Sequence, residues 1–126
     1  MPTDFADALF LLGRFFLGAH FLIAGIRNFR MLDVWVQRME SRGVLPQPRL
    51  ALSFGFAVQA IGGASVAFGL WPALGGIALI GFTIVATLLW HDFWRFSGDE
   101  RRVHINFNLT NMALIGGLLM VVALSL

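Results

Sequence analysis

The sequence predicts an all-α membrane protein: a four-transmembrane-helix bundle with a short interfacial amphipathic helix between spans 1 and 2. Three observations carry this. Hydrophobic residues make up 58% of the 126 residues and charged residues 13%, against roughly 45–50% and about 25% in soluble chains. Four apolar stretches each approach the ~20 residues that a bilayer core requires. Period-two alternation is absent, and lipid does not tolerate open sheet edges, so the spans are helices. A length of 126 residues fits one domain, residues 1–126.

Span 1 covers about residues 5–26 and is interrupted by Arg14 and His20. Asp4 and Asp7 stand where a signal peptide has a positive n-region, so the N-terminus is expected to be retained. In the first connection, Leu32, Trp35, Val36 and Met39 recur at helical spacing, with Asp33, Gln37, Glu40 and Ser41 on the other side. This pattern predicts the amphipathic helix, lying in the membrane interface and stopped by Gly43 and Pro46. Span 2 covers about residues 50–70, with Gln59 in its middle. A connection from Gly69 leads into span 3, about residues 72–94, with Pro72 suited to a first helical position. Ser97-Gly98-Asp99-Glu100 forms a capping-box pattern. It lets helix 4 start near Gly98, ahead of its span at about residues 104–126. The glycines inside the spans fit close helix packing.

The charges set the orientation. All nine basic residues are arginines, against seven acids, for a formal net charge of +2. Eight of the nine fall in the first and third connections or at their borders, and none in the N-terminal tail, second connection or C-terminus. The positive-inside rule then places loops 27–49 and 95–103 in the cytoplasm and both termini outside. Arginines beside apolar spans point to the lipid bilayer as partner and not to nucleic acid. Cysteine is absent, which excludes disulfides, dithiol redox relays, thiolate-bound iron–sulfur clusters and covalent c-type haem. The sequence shows no haem, iron–sulfur or flavin motif. The spacing of His91, Asp92 and His104 matches no metal helix motif.

Polar residues within the spans are the candidate site. Arg14 is about 12 Å deep at 1.5 Å per residue. It either pairs with Asp7, two turns earlier, or holds an anionic or carbonyl-bearing ligand. Thr83, Thr87 and His91 share one face of span 3, and His104, Asn108 and Asn111 one face of span 4. His20 comes near the same level from span 1. Imidazole, amide and guanidinium donors suit the two carbonyls of a quinone, and a histidine can pass protons on its reduction. The expected ligand-binding set is His91, His104, Asn108, His20, Arg14 and Thr87, with no catalytic residue and no metal. The competing reading has Thr bonding its own backbone and His and Asn cross-linking helices.

The chain resembles the DoxX family of small four-helix integral membrane proteins. Arg14, Gly18, Phe21 and Gly25 match its R-x3-G-x2-F-x3-G pattern. Span 2 onward, AVQAIGGASVAFGLWPALGG, is similar to its E-x2-G-G stretch, and HDFWRFSGDERRVHINFNLTNMALIGGLL to its C-terminal end. The resemblance implies four helices in the plasma (inner) membrane. It also implies association with redox chemistry, since founding members are subunits of a thiosulfate:quinone oxidoreductase. Gln59 stands where the family has an acid, and Asn28 where it has Lys. Two functions follow as expectations. One is a membrane subunit of an oxidoreductase complex, binding quinone and coupling a partner dehydrogenase to the quinone pool. The other is a structural, anchoring or assembly subunit with no ligand chemistry of its own. Either would act with a redox partner protein or as a homo-oligomer.

Overall fold

A computed structural model describes residues 3–126. Five α-helices run α1 (Thr3–Arg30), α2 (Leu32–Arg42), α3 (Pro48–Phe68), α4 (Pro72–Trp90) and α5 (Gly98–Ser125). α1, α3, α4 and α5 are long and apolar enough to cross a membrane; α2, between the first two spans, is not among them. Side chains such as Phe16, Ile23, Phe54, Ile61, Ile77, Leu88, Met112 and Leu119 point outward. On a membrane protein that belt faces acyl chains.

Small residues decide how the helices meet. In lipid, apolar side chains gain little by leaving one apolar medium for another, so association rests on close packing. α1 packs most extensively on α3. A Cβ on Gly18 would stand 2.7 Å from Ala67 Cα, and one on Gly63 would stand 2.9 Å from Leu22 Cα. Neither backbone could be so near with a larger residue in place. Further along the same seam, a Cβ on Gly25 would meet Ala60. α3 turns into α4 through Gly69 at φ 74°, a left-handed conformation that suits glycine. Ser65 Oγ donates to the carbonyls of Leu70 and Trp71 and so satisfies the turn. Pro72 then opens α4 at its first turn, as the sequence predicts.

The helices line up in the order α1–α3–α4–α5, and α1 and α5 barely touch. Their meeting point is Leu17 against Gly117, in the half of the bundle that holds the termini and the α3–α4 turn. There Phe21, Val66, Leu79, Leu118 and Val121 form a closed core.

α4 ends at Trp90, where His91 leaves helical geometry, and a short 3-10 turn, Phe93–Arg95, completes the third candidate span and leads to α5. α5 starts at Gly98 as expected, yet Ser97 makes no side-chain cap bond, so the capping-box expectation is corrected. α2 stands between the first two spans as expected. Val36 and Met39 are buried with Leu52 and Phe56 of α3, against Phe82, Leu89 and Trp90 of α4. Arg14 forms no ion pair with Asp7 among the described residues. Its guanidinium lies where a Cβ of Gly69 would be, beside the C-terminal end of α3, where a helix dipole favours a cation.

Candidate functional site

α2 lies across one end of the bundle because its apolar stripe is buried on α3 and α4, and because Arg42 ties its last turn down. Arg42 donates to the Leu89 carbonyl at the end of α4 and, at 3.1 Å, to Asp92. Asp92 also accepts from Arg95. The carboxylate is only 4% exposed, and two guanidinium groups compensate its charge. α2 is thus attached to the α4–α5 connection.

Between α2 and the closed core lies a cavity of about 850 Å³. Phe21 separates it from the core, and Phe56, Phe82, Leu89 and Leu114 supply much of its apolar wall. His20 and Phe21 from α1, and Phe107 and Leu114 from α5, also line it. It therefore borders the seam where those two helices diverge.

On the α4–α5 side, four rings stand in a row. Phe107 stacks on His91 at 4.4 Å between centroids, and Phe96 stacks on His104 at 4.1 Å. Between them the two Nδ1 atoms are 3.1 Å apart. Such a contact needs one nitrogen to donate and the other to accept, the roles being set by the tautomers. The two imidazole planes are inclined at 46°, and each ring stacks on its phenyl neighbour. The chain puts His91 there by ending α4, and puts His104 there by beginning α5 early, at Gly98.

The other polar side chains have partners. Asn108 Nδ2 donates to the carbonyls of His91 (2.6 Å) and His104 (2.8 Å), joining the end of α4 to α5. Thr87 Oγ1 donates to the Thr83 carbonyl at 2.6 Å and accepts from Asn111 at 2.8 Å. Thr83 likewise donates to the Leu79 carbonyl. His20 is exposed at the seam, edge-on to Phe21. Of the six residues singled out from sequence, His91, His104 and His20 line the cavity. Thr87 and Asn108 stand beside it as helix fasteners. Arg14 is at the opposite end, next to Phe10 and Gly69.

Three elements of the site escape a reading of the sequence. Asn28 Nδ2 donates to Gln59 Oε1 at 2.9 Å in the cavity wall, with Gln59 only 6% exposed. Two neutral amides thus meet across the α1–α3 seam. Trp35 of α2 also lines the cavity, edge-on to Trp90 at 5.1 Å. The Arg42–Asp92 pair is the third; opposite charges in the two arginine-rich connections are the signal that would have suggested it.

The cavity offers apolar walls, the His91–His104 imidazole pair and the guanidinium groups of Arg38, Arg42 and Arg95. Among the described residues no cluster of three or more His, Asp or Glu could hold a metal ion. Residues 9–92, two thirds of the chain, match the sequence model of the DoxX family. No curated protein and no solved structure matches the chain.

Proposed function

The chain belongs to the DoxX family, and from that premise we propose that it is the membrane subunit of a redox complex. It binds a quinone in the cavity beneath α2 and couples a partner dehydrogenase to the quinone pool. The observation that carries this reading is the 850 Å³ apolar cavity flanked by the His91–His104 pair and bordering the α1–α5 seam. A quinone supplies two carbonyl acceptors and takes up two electrons and two protons on reduction to quinol. The electrons come from the partner's cofactor. The chain's own residues hold the ring and keep bulk water from its face with Phe56, Phe82 and Leu114, and the two protons come from water, relayed one at a time by the imidazole pair, which is reprotonated after each transfer. Thr87, Asn108 and Asn111 keep α4 and α5 in register around that pair. Arg14 lies outside this site.

The arginine asymmetry supports an orientation with α2 and the α4–α5 connection in the cytoplasm of a plasma-membrane protein, and both termini outside. Reporter fusions after Leu126 should then read as external and fusions within residues 95–103 as cytoplasmic.

The test is binding. The purified protein should carry quinone in its lipid extract, and a short-chain ubiquinone or menaquinone analogue should bind saturably. His91→Ala combined with His104→Ala should weaken that binding tenfold or more while helical content is kept. A second reading, an anchoring subunit, is favoured by one observation: Thr87, Asn108 and Asn111 are all engaged in helix-to-helix or backbone bonds. Its signature is a stoichiometric protein partner, no quinone, and a double histidine variant that behaves like the parent.

A further inference from the structure

We propose that the His91–His104 contact is an acid-sensitive clasp on the α4–α5 connection: it holds while the pair carries at most one added proton, and it parts when both rings are charged, loosening α2. The clasp belongs to the ligand-free protein and stands independently of the quinone reading. The ring centroids are 5.3 Å apart for Nδ1 atoms 3.1 Å apart, so each nitrogen points nearly straight at the other. That is the geometry of a hydrogen bond. In the neutral pair one Nδ1 carries a hydrogen and the other accepts it. A first added proton enters at the free nitrogen of the donor ring and turns the contact into a charge-assisted bond. A second has only the accepting Nδ1 to enter. Two N–H groups and two like charges then face each other, and no change of tautomer relieves them. The closed pair therefore binds the second proton more weakly than the parted pair does, and acid favours parting.

The surrounding charges do not offset this repulsion. Asp92, next to His91 in the chain, is already taken up by Arg42 and Arg95. Around the cavity that the pair lines, α2 presents Arg38 and Arg42, the connection presents Arg95 and α1 presents His20. α3 and α4 bring no ionisable side chain to that wall. On α5, Glu100 and Arg101 stand one turn before His104 and carry opposite charges. α2 feels the pair through its attachment. The connection is joined to α5 by the imidazole contact, by Asn108 on the His91 carbonyl and by Phe96 stacked on His104. Arg42 joins α2 to Asp92 and to the Leu89 carbonyl, on either side of His91. Parting the rings removes the first of these links to α5 and disturbs the third, and α2 is the element held through what is left.

The experiment reads the pair and α2 together in the ligand-free parent in detergent. With ¹⁵N-histidine, a scalar coupling across the hydrogen bond should join the two Nδ1 signals at about pH 8, persist through the first protonation and vanish on the second, around the ordinary histidine range or below it. Over that second step, amide exchange in α2, corrected for its intrinsic pH dependence, should rise about tenfold, the change produced by one pKa unit of difference between closed and parted pairs. Exchange in the α1–α3 seam should not change. His104→Gln should abolish the α2 response, because an amide can donate or accept and takes up no proton. Asp92, Arg42, Arg95 and His20 are intact in that variant, so an equal response there would assign the acid sensitivity to one of them and overturn the clasp. Absence of the coupling at about pH 8 would refute the contact. A coupling that survives, or α2 exchange that stays constant, down to about pH 4.5, two units below the ordinary histidine value, would overturn the switch. Should His104→Gln fail to fold, the parent decides alone: loss of coupling and faster α2 exchange must share one midpoint, and separate midpoints refute the clasp.

Discussion

The half of the bundle next to the α3–α4 turn closes on Phe21, Val66, Leu79, Leu118 and Val121, whereas the half next to α2 encloses a cavity of about 850 Å³. Both halves are built from the same four helices and from similar apolar side chains. The difference lies in where small residues let a third and fourth helix close the ring. Gly18 and Gly63 bring α1 against α3, Gly76 brings α4 against α5, and Gly117 receives Leu17 of α1. All of these act in the closed half. In the other half α5 carries His104 and Phe107, whose rings stack on the α4–α5 connection and on His91. α1 stays on α3 there, with Gly25 against Ala60, but does not meet α5, and α2 covers the end. Closure follows from the approach of α5 to α1, and the cavity follows from its absence.

The sharpest break in this contrast is Gly63→Val. Its Cβ would press on the α1 backbone at Leu22, which has no means of yielding. We expect a loss of about 3 kcal/mol or more, read as a lower melting temperature in detergent or loss of a monodisperse species. A parent-like Gly63→Val would mean that the closed half is not held by backbone approach. Next is Leu79→Ala. Leu79 is fully buried, and truncation in a packed core costs about 2–5 kcal/mol. Phe82→Ala, on the cavity wall, should cost less despite the larger deletion, because one side of Phe82 already lacks neighbours. Equal costs would show that the cavity collapses in the membrane.

Asp92→Asn comes third. It leaves Arg42 without its carboxylate, and a charge-assisted bond contributes about 1.5–3 kcal/mol. The loss should be local: faster amide exchange in α2, with little change in the α1–α3 seam. Uniformly faster exchange would show that α2 is part of the core and not an attached cover. The smallest effect has the opposite sign. Gly55→Ala, beside the cavity, places its Cβ at an ordinary 3.6 Å from Phe82. It should stabilise α3 by about 0.5–1 kcal/mol, the usual gain of alanine over glycine inside a helix.

The span count, the α3–α4 turn at Gly69 and Pro72, the early start of α5 and the existence of α2 were legible in the sequence. Each depends on local chemistry: hydropathy over about 20 residues, a left-handed glycine, a proline at a first turn, and apolar residues at helical spacing. What α2 packs on was not legible, because the same stripe of Leu32, Trp35, Val36 and Met39 suits lipid or protein equally well. The approach of His91 to His104 could be anticipated, since sequential antiparallel helices bring those positions level. The bonds of Asn28 to Gln59 and of Arg42 to Asp92 join residues 31 and 50 positions apart. No local periodicity encodes them. Arg14 was grouped with the histidines as a ligand residue, yet it lies at the opposite end of the bundle beside the Gly69 turn, which only the α1–α3 register determines.

The amide pair of Asn28 and Gln59 has a consequence for the energetics of the membrane. Moving one elementary charge through 100 mV involves about 2.3 kcal/mol. A carboxylate and an ammonium in this wall would each feel that field, and each would couple cavity geometry to the resting voltage of the cell. Two amides bear no net charge at any physiological pH. Hyperpolarisation exerts no pull on this contact, and acidification adds no proton to it.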